Sequence, residues 1–260
     1  MNWLRSKLGL GGKTAPRRAP SIPPGEVVYA IGDIHGRADL LHDLLRQIEA
    51  DIALTPELNV RVITLGDYVD RGADSKGVID ILDGLVSKGS DRMIVLKGNH
   101  EEALLDFLDD PTTGVTWAEY GGRATLVSYG VTPPRGRGDP ESWAEARDAF
   151  AQALPDRHLA FLRSLQLSAT VGDYVFVHAG LRPGIPLDQQ DERDLLWIRQ
   201  EFLDAPAWSE DGVVVHGHSA EAAPSEGPGR IGVDTGAYAT GVLTALRLEG
   251  DRRRYLRTGV

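Results

Sequence analysis

The apolar positions of this chain come in short β-branched runs, each ending at a glycine-bounded polar cluster. Val27-Val28-Tyr29-Ala30-Ile31 runs into Gly32-Asp33-Ile34-His35-Gly36. Val60-Arg61-Val62-Ile63-Thr64-Leu65 runs into Gly66-Asp67-Tyr68-Val69-Asp70-Arg71-Gly72, and Met93-Ile94-Val95-Leu96 leads to Gly98-Asn99-His100-Glu101. Between them the apolar spacing changes to that of a helix. Leu40, Leu41, Leu44, Leu45 and Ile48 share one face of a helix predicted over 38–50, and Val78, Ile79, Leu82 and Leu85 one face of a helix over 74–87. A shorter helix is predicted over 101–108, before Pro111. Strand, polar loop and helix alternate, which is the pattern of an α/β protein.

The second half is less regular. Residues 116–156 read as a more polar helical insertion around a Gly-Pro-Arg loop at 133–140, and both a substrate-facing lid and a plain surface excursion stand open for it. A helix follows Pro155. Stretches 167–171 and 174–177 read as strands about a Gly172-Asp173 hairpin turn, the second ending at His178-Ala179-Gly180. Val213-Val214-Val215 runs into His216-Gly217-His218-Ser219. Stretches 231–233 and 242–248 read as closing strands around Asp234-Thr235-Gly236-Ala237. Residues 1–25, rich in Gly and Pro, read as a flexible leader and 26–260 as one domain.

Composition narrows the function. The chain has no cysteine, which excludes disulfides, thiolate metal sites and a cysteine nucleophile. The leader carries Arg5, Lys7, Lys13, Arg17 and Arg18 and no acid; the remaining 23 basic residues face 38 acidic ones, a body of net charge −15. So acidic a body argues against nucleic acid as a partner. Gly11-Gly12-Lys13-Thr14 is not a phosphate loop, because Lys7 stands where that pattern needs glycine. No apolar run approaches the roughly 20 residues that span a bilayer. The leader's opening, Trp3-Leu4-Arg5-Ser6-Lys7-Leu8, is too short and too charged for a signal peptide and supports at most weak contact with a membrane surface. The expected setting is the cytoplasm.

The strand-end residues are the candidate chemistry. Asp33 and His35 are two apart, so extended backbone would aim both side chains the same way. Asp67 has two oxygens and can bridge two cations. Asn99 offers an amide oxygen, and His178 with the His216/His218 pair offers imidazoles. This set suits two divalent cations, about 3.5–4 Å apart in two-metal hydrolases. It is delivered where open α/β sheets usually place their chemistry. Spacing does not choose between His216 and His218. His42 and His158 read as ordinary polar residues.

The ordered motifs, running from about residue 27 to about 248, resemble the calcineurin-like metallophosphoesterases, and among them the bacterial type of phosphoprotein phosphatase. That resemblance implies a fold of two packed mixed β-sheets flanked by helices, a four-layer α-β-β-α arrangement. It implies that Asp33 and His35 hold one metal, that Asp67 bridges, and that Asn99, His178 and His218 hold the other; His218 is preferred because the family's ligand follows a glycine. The metals are expected to be manganese by analogy with the bacterial branch, iron and zinc suiting the same ligands. Two cations sharing one solvent oxygen would make a hydroxide that attacks phosphorus in line. His100 would protonate the leaving group, oriented by Asp70, while Arg71 and Arg199 would bind the phosphoryl oxygens. The expected substrates are phosphoserine and phosphothreonine in proteins or peptides. The alternative is dinucleoside polyphosphates or other small phosphoesters. His35 favours the first, since the dinucleotide hydrolases resemble Gly-Asp-Ile-Gln-Gly there.

Overall fold

Strands that are apolar on both faces need cover on both faces. This chain obtains it by stacking two sheets between helices. The structure, a computed structural model, describes residues 18–88, 92–208 and 212–259. In chain order its strands are β1 (Glu26–Ile31), β2 (Asn59–Thr64), β3 (Met93–Val95), β4 (Ser168–Val171), β5 (Tyr174–Val177), β6 (Val213–His216), β7 (Ser225–Gly227), β8 (Arg230–Gly232), β9 (Thr244–Glu249) and β10 (Arg252–Arg257). One sheet has the order β10-β9-β1-β2-β3 and the other β4-β5-β6-β8-β7. Three neighbouring strands of each sheet run parallel, β1, β2 and β3 in one and β5, β6 and β8 in the other.

Alternation along each strand sorts side chains between layers. Val28 and Ala30 of β1 meet Tyr174 and Phe176 of β5 and Val213 and Val215 of β6 between the sheets. Val27, Tyr29 and Ile31 face the other way, onto α1 (Ala38–Ile52) and α2 (Ser75–Val86). Further helices on that side are α3 (Asn99–Asp109), α4 (Gly114–Glu119), α5 (Gly122–Ser128), α6 (Pro140–Ala153) and α7 (Asp156–Arg163). On the opposite flank Val175, Val177 and Val214 pack on α8 (Glu192–Trp197) and α9 (Gln200–Leu203). The last short helix is α10 (Ala237–Thr240). This is the expected four-layer α-β-β-α fold.

Register brings the functional loops together. Ile31 pairs with Thr64 and Thr64 with Val95, so β1, β2 and β3 end level. Phe176 pairs with Val215, and His216 with Gly232, which does the same for the second sheet.

Three details differ from the sequence reading. Helix α3 begins at Asn99, so Asn99 and His100 lie in its first turn rather than before it. The edge strands β7 and β10 were not foreseen; β10 reads Arg-Arg-Arg-Tyr-Leu-Arg and hides its period behind charge. Residues 18–25, read as part of the leader, are packed down: Ile22 is buried between the sheets, and the Ser21 amide donates to Asp173 at 2.8 Å. The rest of the expected leader, with Arg5, Lys7, Lys13 and Arg17, lies outside the described residues.

Candidate active site

Each parallel strand leads into a candidate functional side chain. Asp33 and His35 follow β1; Asp67, Asp70 and Arg71 follow β2; Asn99 and His100 follow β3; His178 follows β5, His218 follows β6 and Asp234 follows β8. The backbone there is unusual. Among the described residues, the non-glycine residues with left-handed φ are His35 (45°), Asp67 (53°), Asp70 (71°), Arg71 (67°) and His218 (61°). Each such residue costs about 1 kcal/mol or more, and conformations of that kind gather at functional sites. They correct one expectation: His35 is not extended, and a turn rather than strand alternation aims it. Glycines let the loops interlock. A Cβ on Gly217 would lie 2.0 Å from Asp33 Oδ1, and Gly66 (φ 101°) abuts the Gly98 amide nitrogen, 2.6 Å from where a Cβ would be.

Two groups of buried side chains converge on Asp67. His35, Asp67 and His100 form one, and Asp67, His178 and His218 the other, their ligand atoms lying within 4.8 Å of one another. Hydrogen bonds fix the imidazoles. His35 Nδ1 donates to the Val69 carbonyl at 2.9 Å, and His178 Nδ1 to the Leu65 carbonyl at 2.8 Å. Both Nε2 atoms are therefore left with lone pairs. His35 Nε2 faces Asp67 Oδ2 at 3.5 Å, and His178 Nε2 faces Asp67 Oδ1 at 3.4 Å and Asn99 Oδ1 at 2.9 Å. His218 Nε2 is buried with no hydrogen-bond partner. Acceptors aimed at acceptors, with the other ring nitrogen anchored to backbone, are what ligands of a cation require.

The electrostatics agree. Burial pushes His35 down to about 3 and, with His178 nearby, His218 down to about 2, so both rings are neutral at pH 7. Burial opposes charge on Asp67 too, but His178, His100, His35 and His218 outweigh it and hold the carboxyl well below its usual range. Neutral imidazoles around one carboxylate are the protonation states that metal binding needs. Asp33 sits beside these groups. Its oxygens accept from the His218 amide at 3.2 and 3.0 Å, and burial, then Asp234 and Asp67, raise its pKa well above the ordinary value.

His100, a member of the first group, also centres a second arrangement. His100 Nδ1 donates to Asp70 Oδ2 at 2.7 Å, so its Nε2 accepts from Arg71 Nη2 at 3.1 Å. Burial works against charge on His100, yet Asp67 and Asp70 outweigh it and raise its pKa. The Arg71 guanidinium lies over the Tyr238 ring, 4.8 Å from its centroid. Arg199 donates to the His218 carbonyl at 3.1 Å, at the other end of the site. His216 takes no part in either group: it is buried against Phe202, with ring centroids 5.1 Å apart.

Sequence reasoning passed over several residues. Glu101 is fully buried and accepts from the amides of Gly98 (2.9 Å), Asp67 (2.8 Å), Tyr68 (2.7 Å) and Val69 (3.3 Å), clamping two loops. Its place after Asn99-His100 was the only signal. Asp234 was quoted without a role. Trp117 and Thr125 of the insertion grip Asp70, and nothing local marked them.

The calcineurin-like phosphoesterase family matches residues 27–242. The asymmetrical bis(5′-nucleosyl)-tetraphosphatase PrpE of Anoxybacillus flavithermus is 24% identical over 238 residues, 84% of this chain and 88% of that one. Serine/threonine-protein phosphatase 1 of Salmonella typhimurium is 26% identical over 228 residues, 85% of this chain and 92% of that one. Among solved structures, a proposed diadenosine tetraphosphatase shares the fold with a TM-score of 0.62 at 22% identity, covering 92% of this chain and 98% of that one. No helix among the described residues is long and apolar enough to cross a membrane. With its two packed sheets, its strand-end ligand groups and a family match over most of its length, this chain belongs to the calcineurin-like phosphoesterases.

Proposed function

We propose that this phosphoesterase is a dinuclear-metal phosphatase of phosphoserine and phosphothreonine in proteins, working in the cytoplasm. Asp33, His35 and Asp67 would hold one cation, and Asp67, Asn99, His178 and His218 the other, manganese being favoured. When bound, the pair supplies a nucleophilic water of lowered pKa and neutralises phosphoryl charge. The chain's own groups do the rest. Arg71, and Arg199 from the opposite side, bind and orient the phosphoryl oxygens. With Arg71 turned from His100 Nε2 to the phosphoryl oxygens, that nitrogen is free to carry a proton, which His100 gives to the leaving oxygen while Asp70 keeps Nδ1 protonated and the ring in place.

The observation that carries this reading is the buried His100–Asp70 pair, at 2.7 Å, with Arg71 on the far ring nitrogen. An alkoxide is a poor leaving group and needs such an acid. A nucleoside polyphosphate leaving group needs it much less. The likeness to PrpE supports the second reading, hydrolysis of dinucleoside polyphosphates. A metal-supplemented assay of phosphoserine, phosphothreonine and phosphotyrosine peptides beside diadenosine tetraphosphate separates the two. Higher kcat/KM on phosphoserine and phosphothreonine peptides is expected. A clear preference for diadenosine tetraphosphate would replace the first reading with the second.

A further inference from the structure

The acid and clamp are held from outside the strand-end loops. Asp70 Oδ2 accepts from Trp117 Nε1 at 2.9 Å, and Oδ1 from Thr125 Oγ1 at 2.6 Å. The Asp70 amide faces the hydroxyls of Thr125 (2.9 Å) and Ser75 (3.0 Å). Arg71 is gripped by the turn between α4 and α5: its amide donates to the Gly121 carbonyl at 3.2 Å and its Nε to the Tyr120 carbonyl at 3.4 Å. Gly121 has φ 114°, and a Cβ there would lie 2.7 Å from Arg71 Cγ and 2.8 Å from its amide nitrogen. Asp70 and Arg71 are consecutive left-handed residues, and an arginine has no intrinsic reason to adopt that region.

We infer that the segment from α4 to α5 is the positioning element of the acid–clamp pair, with Trp117 and Thr125 as positioning residues for Asp70, and so for His100, and Gly121 as the positioning residue for Arg71. The inference rests on the acid and clamp roles given above. It assigns the front of the insertion to neither a lid nor a surface excursion. An ionised carboxylate offers about four lone-pair sites, and each donor held on one of them restrains the direction of the rest. Trp117 Nε1 and Thr125 Oγ1 hold one site on each oxygen, which fixes the carboxylate plane with Oδ2 toward His100. Gly121 leaves room for the Arg71 backbone to stay left-handed, which turns the guanidinium toward His100 Nε2.

The test uses the full chain with added manganese and a series of substituted phenyl phosphates. Thr125→Val and Trp117→Phe should lower kcat/KM about 10- to 100-fold for poor leaving groups and little for p-nitrophenyl phosphate, because general acids contribute about 10²–10⁴-fold where protonation is needed. Thr125→Ser, which keeps the hydroxyl, should restore the wild-type slope. Gly121→Ala should leave the slope alone and weaken inhibition by inorganic phosphate about tenfold, as lost charge-assisted bonds do. In an Arg71→Ala background it should change nothing further. Val127→Ser, an exposed change on α5, should match wild type. Equal losses on all leaving groups, or additive losses with Arg71→Ala, would overturn the inference. His100→Asn separates the layers: if it too fails to steepen the slope, the acid reading itself is wrong, whereas a steep slope for His100→Asn beside a flat one for Thr125→Val defeats only the positioning claim.

Discussion

His35 and His178 are tied to backbone carbonyls of the strand-end loops, Val69 and Leu65, and Asp67 is surrounded by groups from neighbouring strand ends. Asp70 and Arg71 stand only three and four residues beyond Asp67, yet their grips come from Trp117, Tyr120, Gly121 and Thr125. One half of the site is therefore made by the sheets and the other by a helical insertion. The metal half can change only with the sandwich that levels its strand ends. The acid half depends on a helical insertion distant in sequence from the strands, with Trp117 and Leu126 packed into the core. That division offers a physical route by which one fold serves different leaving groups.

The largest expected effect falls on the sheet-built half. Asp67→Asn removes the shared charge, and metal-supplied charge stabilisation is worth several kcal/mol, so turnover should drop about 10³-fold or more. Metal content after gel filtration should fall with it. Normal metal retention in this variant would remove Asp67 from the centre. His100→Asn should act differently: about a 10²-fold loss on phosphoserine peptides, a small one on p-nitrophenyl phosphate, and unchanged metal content. Loss of metal from His100→Asn would erase the boundary between the halves. Gly217→Ala comes next. Its Cβ would meet Asp33 Oδ1, and disturbing a ligand's surroundings typically costs about 10- to 100-fold in metal affinity. Manganese titration by calorimetry should show that loss without any change in leaving-group dependence.

The same division explains what could be read from the sequence. Asp33, His35, Asp67, Asn99, His178 and His218 each sit in a short motif directly after an apolar run, and a strand end is a local signal. The pairing of His100 with Asp70 was legible only through the resemblance, since 30 residues separate them. Trp117 and Thr125 lie 47 and 55 residues from Asp70, and a tryptophan or threonine on a helix says nothing of its partner until the helix is placed. The left-handed turn at His35 was invisible because histidine usually adopts other regions. Strand β10 was missed because its arginines, suited to guarding a sheet edge, mask the period-two pattern. Residues 18–25 were read as leader on their prolines, although Ile22 is fixed by packing between the sheets.

The smallest effect belongs to the far side of the helical layer, where an ion-pair cluster rather than the acid–clamp network joins α7 to α2. Asp80 accepts from Lys76 Nζ at 2.7 Å and His158 Nε2 at 3.0 Å, and pairs with Arg157. Burial alone would raise its pKa, but Lys76, Arg157 and His158 together bring it to about 2. A carboxyl depressed from about 3.8 to about 2 stabilises the fold fully above the higher value and loses that contribution as pH falls through the lower one. Its side chain is a third exposed, so solvent screening limits the effect of Asp80→Asn to about 0.5–1 kcal/mol at neutral pH. Urea melts should show that gap at pH 7 and its disappearance near about pH 2. Leaving-group dependence should stay at the wild-type slope throughout. A gap that persists in acid would mean that the cluster acts through shape rather than charge. A changed slope would mean that the insertion transmits its outer contacts to Asp70, and that the acid half of the site extends as far as α7.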